Sequence, residues 1–303
     1  MNDTISTVGF VGTGIMGAPM ALHLAAAGFQ VAAYNRSMDK ARPLAEQGVR
    51  LAPTASEACA GQDAVVVMLN SGQVCEEILF APGSGALWAM RPGSLLIVMS
   101  SLKVETARDH ARRAGAVGVG YLDAPVSGGE VGAKAATLSI MVGGEATDVA
   151  RARPLFEAMG RPLHMGPTGT GQLTKLANQL TVASTIVAVA EALLMAERGG
   201  ADPAKVREAL LGGFAQSKIL ELHGRRMIAG DFVPGGTAIN QIKDTQAALE
   251  LARELSLELP MLALTDSLFQ SLVAHGHGEL DHSALILELR RRNPAKSAVE
   301  GNR

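Results

Sequence analysis

The stretch "GFVGTGIMGAPMALHLAAAGFQVAAYNRS", Gly9 to Ser37, constrains this chain more than any other. An apolar run leads into Gly12, Gly14 and Gly17, spaced G-x-G-x-x-G. An Ala- and Leu-rich helical pattern follows, closed by Gly28, and "QVAAYN" reads as a second strand. Strand, glycine turn, helix and strand in that order form the unit that seats a dinucleotide pyrophosphate. Gly12 permits the tight turn, Gly14 lets phosphate approach the backbone, and Gly17 lets helix and strand pack closely. Thr13, Ile15 and Met16 complete the turn, and the helix beyond it offers N–H groups and a positive dipole end to an anion.

The ribose end of this unit departs from the common pattern. A carboxylate usually follows the second strand, about 20 residues beyond the turn, and holds a ribose hydroxyl. Here the strand ends in Asn35, Arg36 and Ser37, with Lys40 one turn further on. A neutral amide, a guanidinium fork and a hydroxyl suit a 2′-phosphate, which a carboxylate would repel. The spacing therefore predicts NADP(H) as the preferred cofactor. NAD(H) is the alternative if Arg36 only stacks on the adenine or is solvated.

Further along, "DAVVVML" and "SLLIVMS" are apolar runs of strand length separated by helical stretches. Continuous apolar strands alternating with helices predict a doubly wound α/β fold with a parallel sheet covered on both faces. Ser37 is read as the N-cap of the helix "SMDKARPLAEQG". After "LHMGPTGTGQ" the periodicity turns helical, with one long helix over about 172–197. Asp202-Pro203 reads as an N-cap before a proline at the first helical position, and Asp281 as the N-cap candidate for the last helix. The expected division is a Rossmann domain over 1–166 and an all-helical domain over 167–303, joined by the long helix.

Composition excludes several partners. The formal net charge is -2 and aromatics make up 3 % of 303 residues, so neither a basic surface nor a stacking platform for nucleic acid is expected. The apolar run "LTVASTIVAVAEALLMA" contains Glu191 and is read as a helix buried on nearly all faces inside protein, not as a membrane span. "MNDTISTVGF" carries no secretory pattern, and a cytoplasmic protein is expected. Cys59 and Cys75 make no disulfide framework, and His275 and His277 read as a loop or helix end; no metal site is predicted.

Three more motifs follow. "DAPVSGG" ends a strand at Asp123 and exposes Ser127, Gly128 and Gly129 in a short loop, which suits a carboxylate or is a plain turn. "GTGQLTKLANQ" places Lys175, Asn178 and Gln179 at the start of the long helix, where Lys175 and Asn178 share a face that meets either a polar cleft or solvent. Lys243-Asp244 in "NQIKDTQAALELA" reads by itself as surface charge, as do Lys218, Arg225 and Arg226.

In this order the four motifs resemble the β-hydroxyacid dehydrogenase family over about residues 6–292. The resemblance implies a Rossmann domain followed by an all-helical one. It also implies hydride transfer between a nicotinamide dinucleotide and a small β-hydroxy acid or aldehyde acid. By that likeness Lys175 is the general acid and base. Ser127, Gly128 and Gly129 bind the substrate carboxylate, and Asn178, Gln179 and Lys243 complete the substrate side. Met68, Leu69, Asn70 and Ser101 lie along the cofactor, and Lys243 and Asp244 reach its nicotinamide side. The helical domains of such enzymes pack together, which implies a homodimer or homotetramer. Val98, Leu102-Lys103-Val104 and Gly236 depart from the family pattern, Gly236 standing where many members carry an aromatic, so substrate identity does not transfer. An imine reductase or a non-catalytic nucleotide-binding scaffold is the alternative on this architecture, and both are expected to lack the lysine.

Overall fold

The computed structural model describes residues 4–294, and of Lys40 only the backbone, so the Lys40 side chain assigned above to the ribose end lies outside the described residues. The chain forms two compact units, Met1–Lys175 and Leu176–Arg303, which divide inside the long helix nine positions beyond the predicted boundary at 166.

The first unit alternates strands and helices in the order β1 (Thr7–Val11), α1 (Gly17–Ala26), β2 (Gln30–Tyr34), α2 (Met38–Ala45), β3 (Arg50–Leu51), α3 (Ala55–Cys59), β4 (Ala64–Val67), α4 (Gly72–Leu79), β5 (Leu95–Val98), α5 (Val104–Gly115) and β6 (Gly120–Asp123). It continues with β7 (Val126–Ser127), α6 (Gly129–Lys134), β8 (Leu138–Gly143), α7 (Ala146–Met159) and β9 (Gly160–Gly166). The strands β3-β2-β1-β4-β5-β6 are parallel, and the order reverses between β1 and β4. Ligands of doubly wound sheets bind outside the carboxyl ends of the strands at such a reversal. β8 then pairs antiparallel with β6 and β7, and parallel with β9.

Strand alternation feeds two cores. Val8, Phe10, Val66 and Ile97 point to one face, against Met20 and Leu24 of α1 and Phe156 and Met159 of α7. Val65, Val67, Leu96 and Val98 point to the other, against Cys75 and Leu79 of α4 and Ala107 of α5. Each of the Val, Leu, Ile, Phe and Met side chains among them stabilises the fold by about 1.5–3 kcal/mol on leaving water. Cys59 and Cys75 are both buried free thiols, and burial pushes them up to about 12 and about 11.

The second unit is helical: α8 (Thr170–Arg198, begun in the first unit), α9 (Pro203–Leu211), α10 (Lys218–Ala229), α11 (Ala238–Glu254), α12 (Pro260–Leu272) and α13 (Leu285–Arg292). Its core joins Ile186, Ala190 and Leu193 of α8 to Phe269 and Leu272 of α12 and to Leu285 and Leu289 of α13. Asp202 caps α9 by accepting from the Ala204 N–H, with Pro203 in the first turn. Asp281 accepts from the Ser283 N–H at the head of a short 3-10 turn that runs into α13.

Two local expectations need correction. Ser37 stands at the N-cap position of α2, but its side chain makes no capping bond; instead Asn35 Nδ2 donates to the Ser37 carbonyl at 2.9 Å. The long helix is not buried on nearly all faces. It is apolar and long enough to cross a membrane, yet only 39 % of its most apolar window is buried within this chain. Ala and Val pack tightly on one side of α8 and leave the other, including Met195 at 74 % exposure, uncovered.

Asp63, just before β4, ties two strands together. Its Oδ2 accepts from the N–H groups of Ser6 and Thr7 at 2.8 Å each and from both their hydroxyls at 3.0 Å, and Arg91 pairs with its other oxygen. Burial raises this carboxyl, but the four hydrogen bonds outweigh burial and hold it down to about 2. A depressed carboxyl adds stability that is full above the unfolded pKa and is lost as pH falls through the folded one. The difference in unfolding free energy between the wild type and Asp63→Asn, measured by denaturant melts, should therefore shrink by about 2 kcal/mol as pH falls from about 4 to about 2.

Candidate active site

The glycine turn leaves β1 at the reversal of the sheet, and its geometry explains each glycine. Gly12 has φ +100°, and a Cβ there would stand 2.3 Å from the Met68 carbonyl oxygen. A Cβ on Gly17 would stand 2.0 Å from the Gly12 carbonyl oxygen. Gly14 faces open space, with nothing within 4 Å of a Cβ. The N-terminus of α1 carries no capping side chain and no acidic residue in its first turn. The Thr13 hydroxyl is buried without a hydrogen-bond partner, and Ile15 is 67 % exposed beside it. An uncapped ten-residue helix, an open glycine and an orphaned hydroxyl fit the pyrophosphate of a dinucleotide.

Arg36 is exposed just beyond the carboxyl end of β2, and Asn35 beside it is half-buried. On the other side of β1, Met68 and Leu69 are half-buried and Asn70 is exposed beyond the end of β4. The Leu69 N–H donates to the buried Ser100 hydroxyl at 2.7 Å, and Ser71 caps α4 through the Val74 N–H. Ser101 is exposed beyond β5. The strand ends thus present the predicted cofactor residues along the carboxyl edge of one sheet.

The same edge holds the start of α8. Asp123, fully buried at the end of β6, accepts from the Gly169 N–H at 2.7 Å and the Gln172 N–H at 2.8 Å. It thereby satisfies donors that a helix start leaves open. Burial raises this carboxyl, the backbone N–H groups lower it, and burial prevails. Gln172, 1 % exposed, donates through Nε2 to the Ser100 carbonyl at 2.9 Å and accepts at Oε1 from the Leu102 N–H at 2.9 Å. Lys175 is half-buried and stands three residues, about 300° of turn, beyond Gln172. Ser127 ends β7 half-buried, and Gly128 (φ +136°) and Gly129 (φ +60°) follow it, exposed, in conformations that favour glycine.

Neither Asp123 nor Gln172 was singled out from sequence as a functional residue. Both lie inside quoted motifs, and the only local signal is a polar residue where the strand and helix patterns call for an apolar one.

In the second unit, Asn178 Nδ2 donates to Gln179 Oε1 at 2.8 Å, and Gln179 Nε2 donates to Asp244 Oδ2. Lys243 is exposed and donates to Asn240 at 3.4 Å. Asp244 is thus half-buried against α8 and is more than the surface charge that it resembles from sequence. Arg226 is likewise no plain surface charge: its Nη1 meets Asp281 at 2.9 Å and the Val233 carbonyl at 2.7 Å. Lys218 pairs with Glu221 at 2.6 Å on an exposed helix face. His275 bonds the Ser271 carbonyl at 2.7 Å where α12 ends, in keeping with a helix terminus.

Residues 7–174 match the family model described as the NAD binding domain of 6-phosphogluconate dehydrogenase, and residues 169–289 match that described as NAD-binding of NADP-dependent 3-hydroxyisobutyrate dehydrogenase. The chain belongs to the β-hydroxyacid dehydrogenase family. It is 44 % identical over 285 residues to 2-hydroxy-3-oxopropionate reductase of Escherichia coli, covering 93 % of this chain and 96 % of that one. It is 35 % identical to 3-hydroxyisobutyrate dehydrogenase of Pseudomonas aeruginosa over 289 residues, 93 % of this chain and 96 % of that one. Among solved structures, Mycobacterium tuberculosis 3-hydroxyisobutyrate dehydrogenase with L-serine superposes with a TM-score of 0.84 at 32 % identity, covering 95 % of this chain and all of that one. This β-hydroxyacid dehydrogenase is thus an NAD(P)-dependent oxidoreductase with a Rossmann domain and a helical domain.

In Asp123→Asn an amide NH2 would confront one of two backbone N–H donors in a dry site. Unfolding free energy should fall by about 1–3 kcal/mol. A denaturant midpoint equal to that of the wild type would show that this carboxylate does not hold the helix.

Proposed function

We propose that this enzyme is an NADP(H)-preferring reductase of a small aldehyde or keto acid, and equally the dehydrogenase of the matching β-hydroxy acid, with Lys175 as its general acid and base. The observation that carries this reading is the anchoring of Lys175. It follows directly on a helix start that Asp123 and Gln172 pin to the carboxyl ends of β5 and β6, beside the glycine turn's edge of the sheet.

Bound there, the dinucleotide supplies or accepts the hydride. The protein supplies charge and a proton. Reduction of a carbonyl builds negative charge on oxygen, and a lysine, with a free pKa of about 10.4, meets it as an ammonium. The Lys175 ammonium stabilises that oxygen and gives it a proton; in the reverse direction the amine takes the proton back. Ser127 and the backbone of Gly128 and Gly129 receive the substrate carboxylate. Asn178, Gln179 and Lys243 are assigned to the substrate side, and Lys243 and Asp244 to the nicotinamide side. The names of the relatives, a 2-hydroxy-3-oxopropionate reductase and 3-hydroxyisobutyrate dehydrogenases, support short acids whose reacting oxygen sits on the carbon β to the carboxylate.

Preference for NADP(H) rests on Asn35, Arg36 and Ser37 at the end of β2, where no carboxylate stands to repel a 2′-phosphate. The uncovered apolar side of α8 supports a homodimer or homotetramer, because an apolar face of that length is poorly suited to water.

Oxidation of NADPH and NADH with glyoxylate, succinic semialdehyde, tartronate semialdehyde and methylmalonate semialdehyde tests the reaction. At least one should turn over with NADPH, and Lys175→Met should lower kcat by about two to four orders of magnitude with NADPH binding retained. Wild-type turnover in Lys175→Met would remove the lysine from the mechanism. Activity only on imines would move the enzyme to a different reaction. Arg36→Asp should raise the KM for NADPH by roughly tenfold to a hundredfold and leave that for NADH little changed. Equal effects on both would remove the 2′-phosphate argument.

A further inference from the structure

Within the helical unit, two imidazoles face each other. His223 of α10 and His282, at the head of the turn into α13, bring their Nε2 atoms to 3.3 Å, with ring planes 83° apart. Around them stand Asp281 and Gln241, and one ligand atom each from His223, Asp281 and His282 lies within 4.8 Å of the other two. His282 Nδ1 meets Gln241 Oε1 at 3.0 Å. An amide oxygen only accepts, so Nδ1 carries the proton and Nε2 turns a lone pair toward His223. On the far side of His223, Nδ1 is buried and lies 3.4 Å from Asp281 Oδ1, too poorly aligned to hydrogen-bond it.

We propose that His223 and His282 bind a divalent transition-metal ion of the zinc class through their Nε2 atoms, with Asp281 and Gln241 orienting the two rings from behind.

Four features carry this. Two nitrogens that bind one tetrahedral ion at about 2.0–2.1 Å stand roughly 3.3 Å apart, which is the separation found here. Metal-binding imidazoles characteristically give their second nitrogen to a carboxylate or carbonyl; Gln241 Oε1 takes that place for His282, and Asp281 Oδ1 stands 3.4 Å from His223 Nδ1, the second nitrogen of that ring. His282 turns its Nδ1 to the Gln241 amide oxygen, which leaves its Nε2 lone pair free to face His223. The frame is built: Asp281 Oδ2 takes the Gly235 N–H at 2.9 Å and the Gly236 N–H at 3.3 Å, and Oδ1 takes the Ser283 N–H at 3.0 Å and its hydroxyl at 2.6 Å.

The surrounding charges predict which ion is chosen. Arg226 sits 2.9 Å from Asp281 Oδ2 and offsets its charge, so the site brings two imidazoles and little net negative charge. Such a site favours Zn²⁺, Ni²⁺ or Cu²⁺, which bind nitrogen, over Mg²⁺ or Ca²⁺, which need oxygen. The ion would join α10 to the segment entering α13, with Gln241 linking the site to the first turns of α11, two residues before Lys243.

The test is zinc binding to the metal-free full-length chain by calorimetry at neutral pH, with thermal melting alongside. One zinc ion per chain should bind and raise Tm, since a ligand of the folded state stabilises it. Excess Mg²⁺ should not displace it. His223→Gln, at a partly exposed position, should weaken binding roughly tenfold or more, and the double variant His275→Ala/His277→Ala should bind as the wild type does. Zinc K-edge absorption of the wild-type complex gives a readout that does not depend on any variant folding, and it should show two imidazole nitrogens at about 2.0 Å. No uptake of zinc, uptake that survives His223→Gln, or a first shell without two imidazoles would each overturn the proposal.

Discussion

One buried carboxylate holds the working edge of the nucleotide-binding unit in register. Asp123 ends β6 and accepts the Gly169 and Gln172 N–H groups at the start of α8. Gln172 passes the connection to the loop after β5, through Ser100 and Leu102. Ser100 in turn fixes Leu69 beyond β4. A single chain of hydrogen bonds therefore runs along the carboxyl ends of three adjacent strands and ends just before Lys175. Dry, fully partnered polar networks of this kind specify one arrangement, because leaving any member unpaired is costly.

The arrangement also separates two electrostatic roles. At the glycine turn, the backbone carries the polarity: an uncapped helix N-terminus and an open Gly14. Around α8, side chains carry the polarity, and they are linked in pairs, Asn178 to Gln179 and Gln179 to Asp244. Backbone groups suit an anion whose position must not vary. Linked amides suit groups whose donor and acceptor ends must each face one way.

Much of this was legible in the chain. The glycine turn, the alternation that builds the parallel sheet, and the helices after Gly166 follow from local period and turn chemistry, and the four motifs in order point to the family. What local pattern cannot show is partnership over long separations. Asp123 and Gln172 look like incidental polar residues until strand and helix meet. His223 and His282 stand 59 positions apart and meet only through packing. Ser37 has the residue type and position of a cap, yet the neighbouring Asn35 amide takes over the local bonding. The apolar run in α8 reads as a buried helix, but local period does not show how little of it the rest of this chain covers.

The placement of Lys175 on a regular helix, three residues after an anchored Gln172, makes length matter more than identity in this segment. Each residue of an α-helix turns the next by about 100°. Substitutions between Gln172 and Lys175 leave the lysine's azimuth unchanged, whereas one inserted or deleted residue would swing it to another side of α8. Leu173 and Thr174 therefore act as a phase gauge, able to drift in composition but not in count.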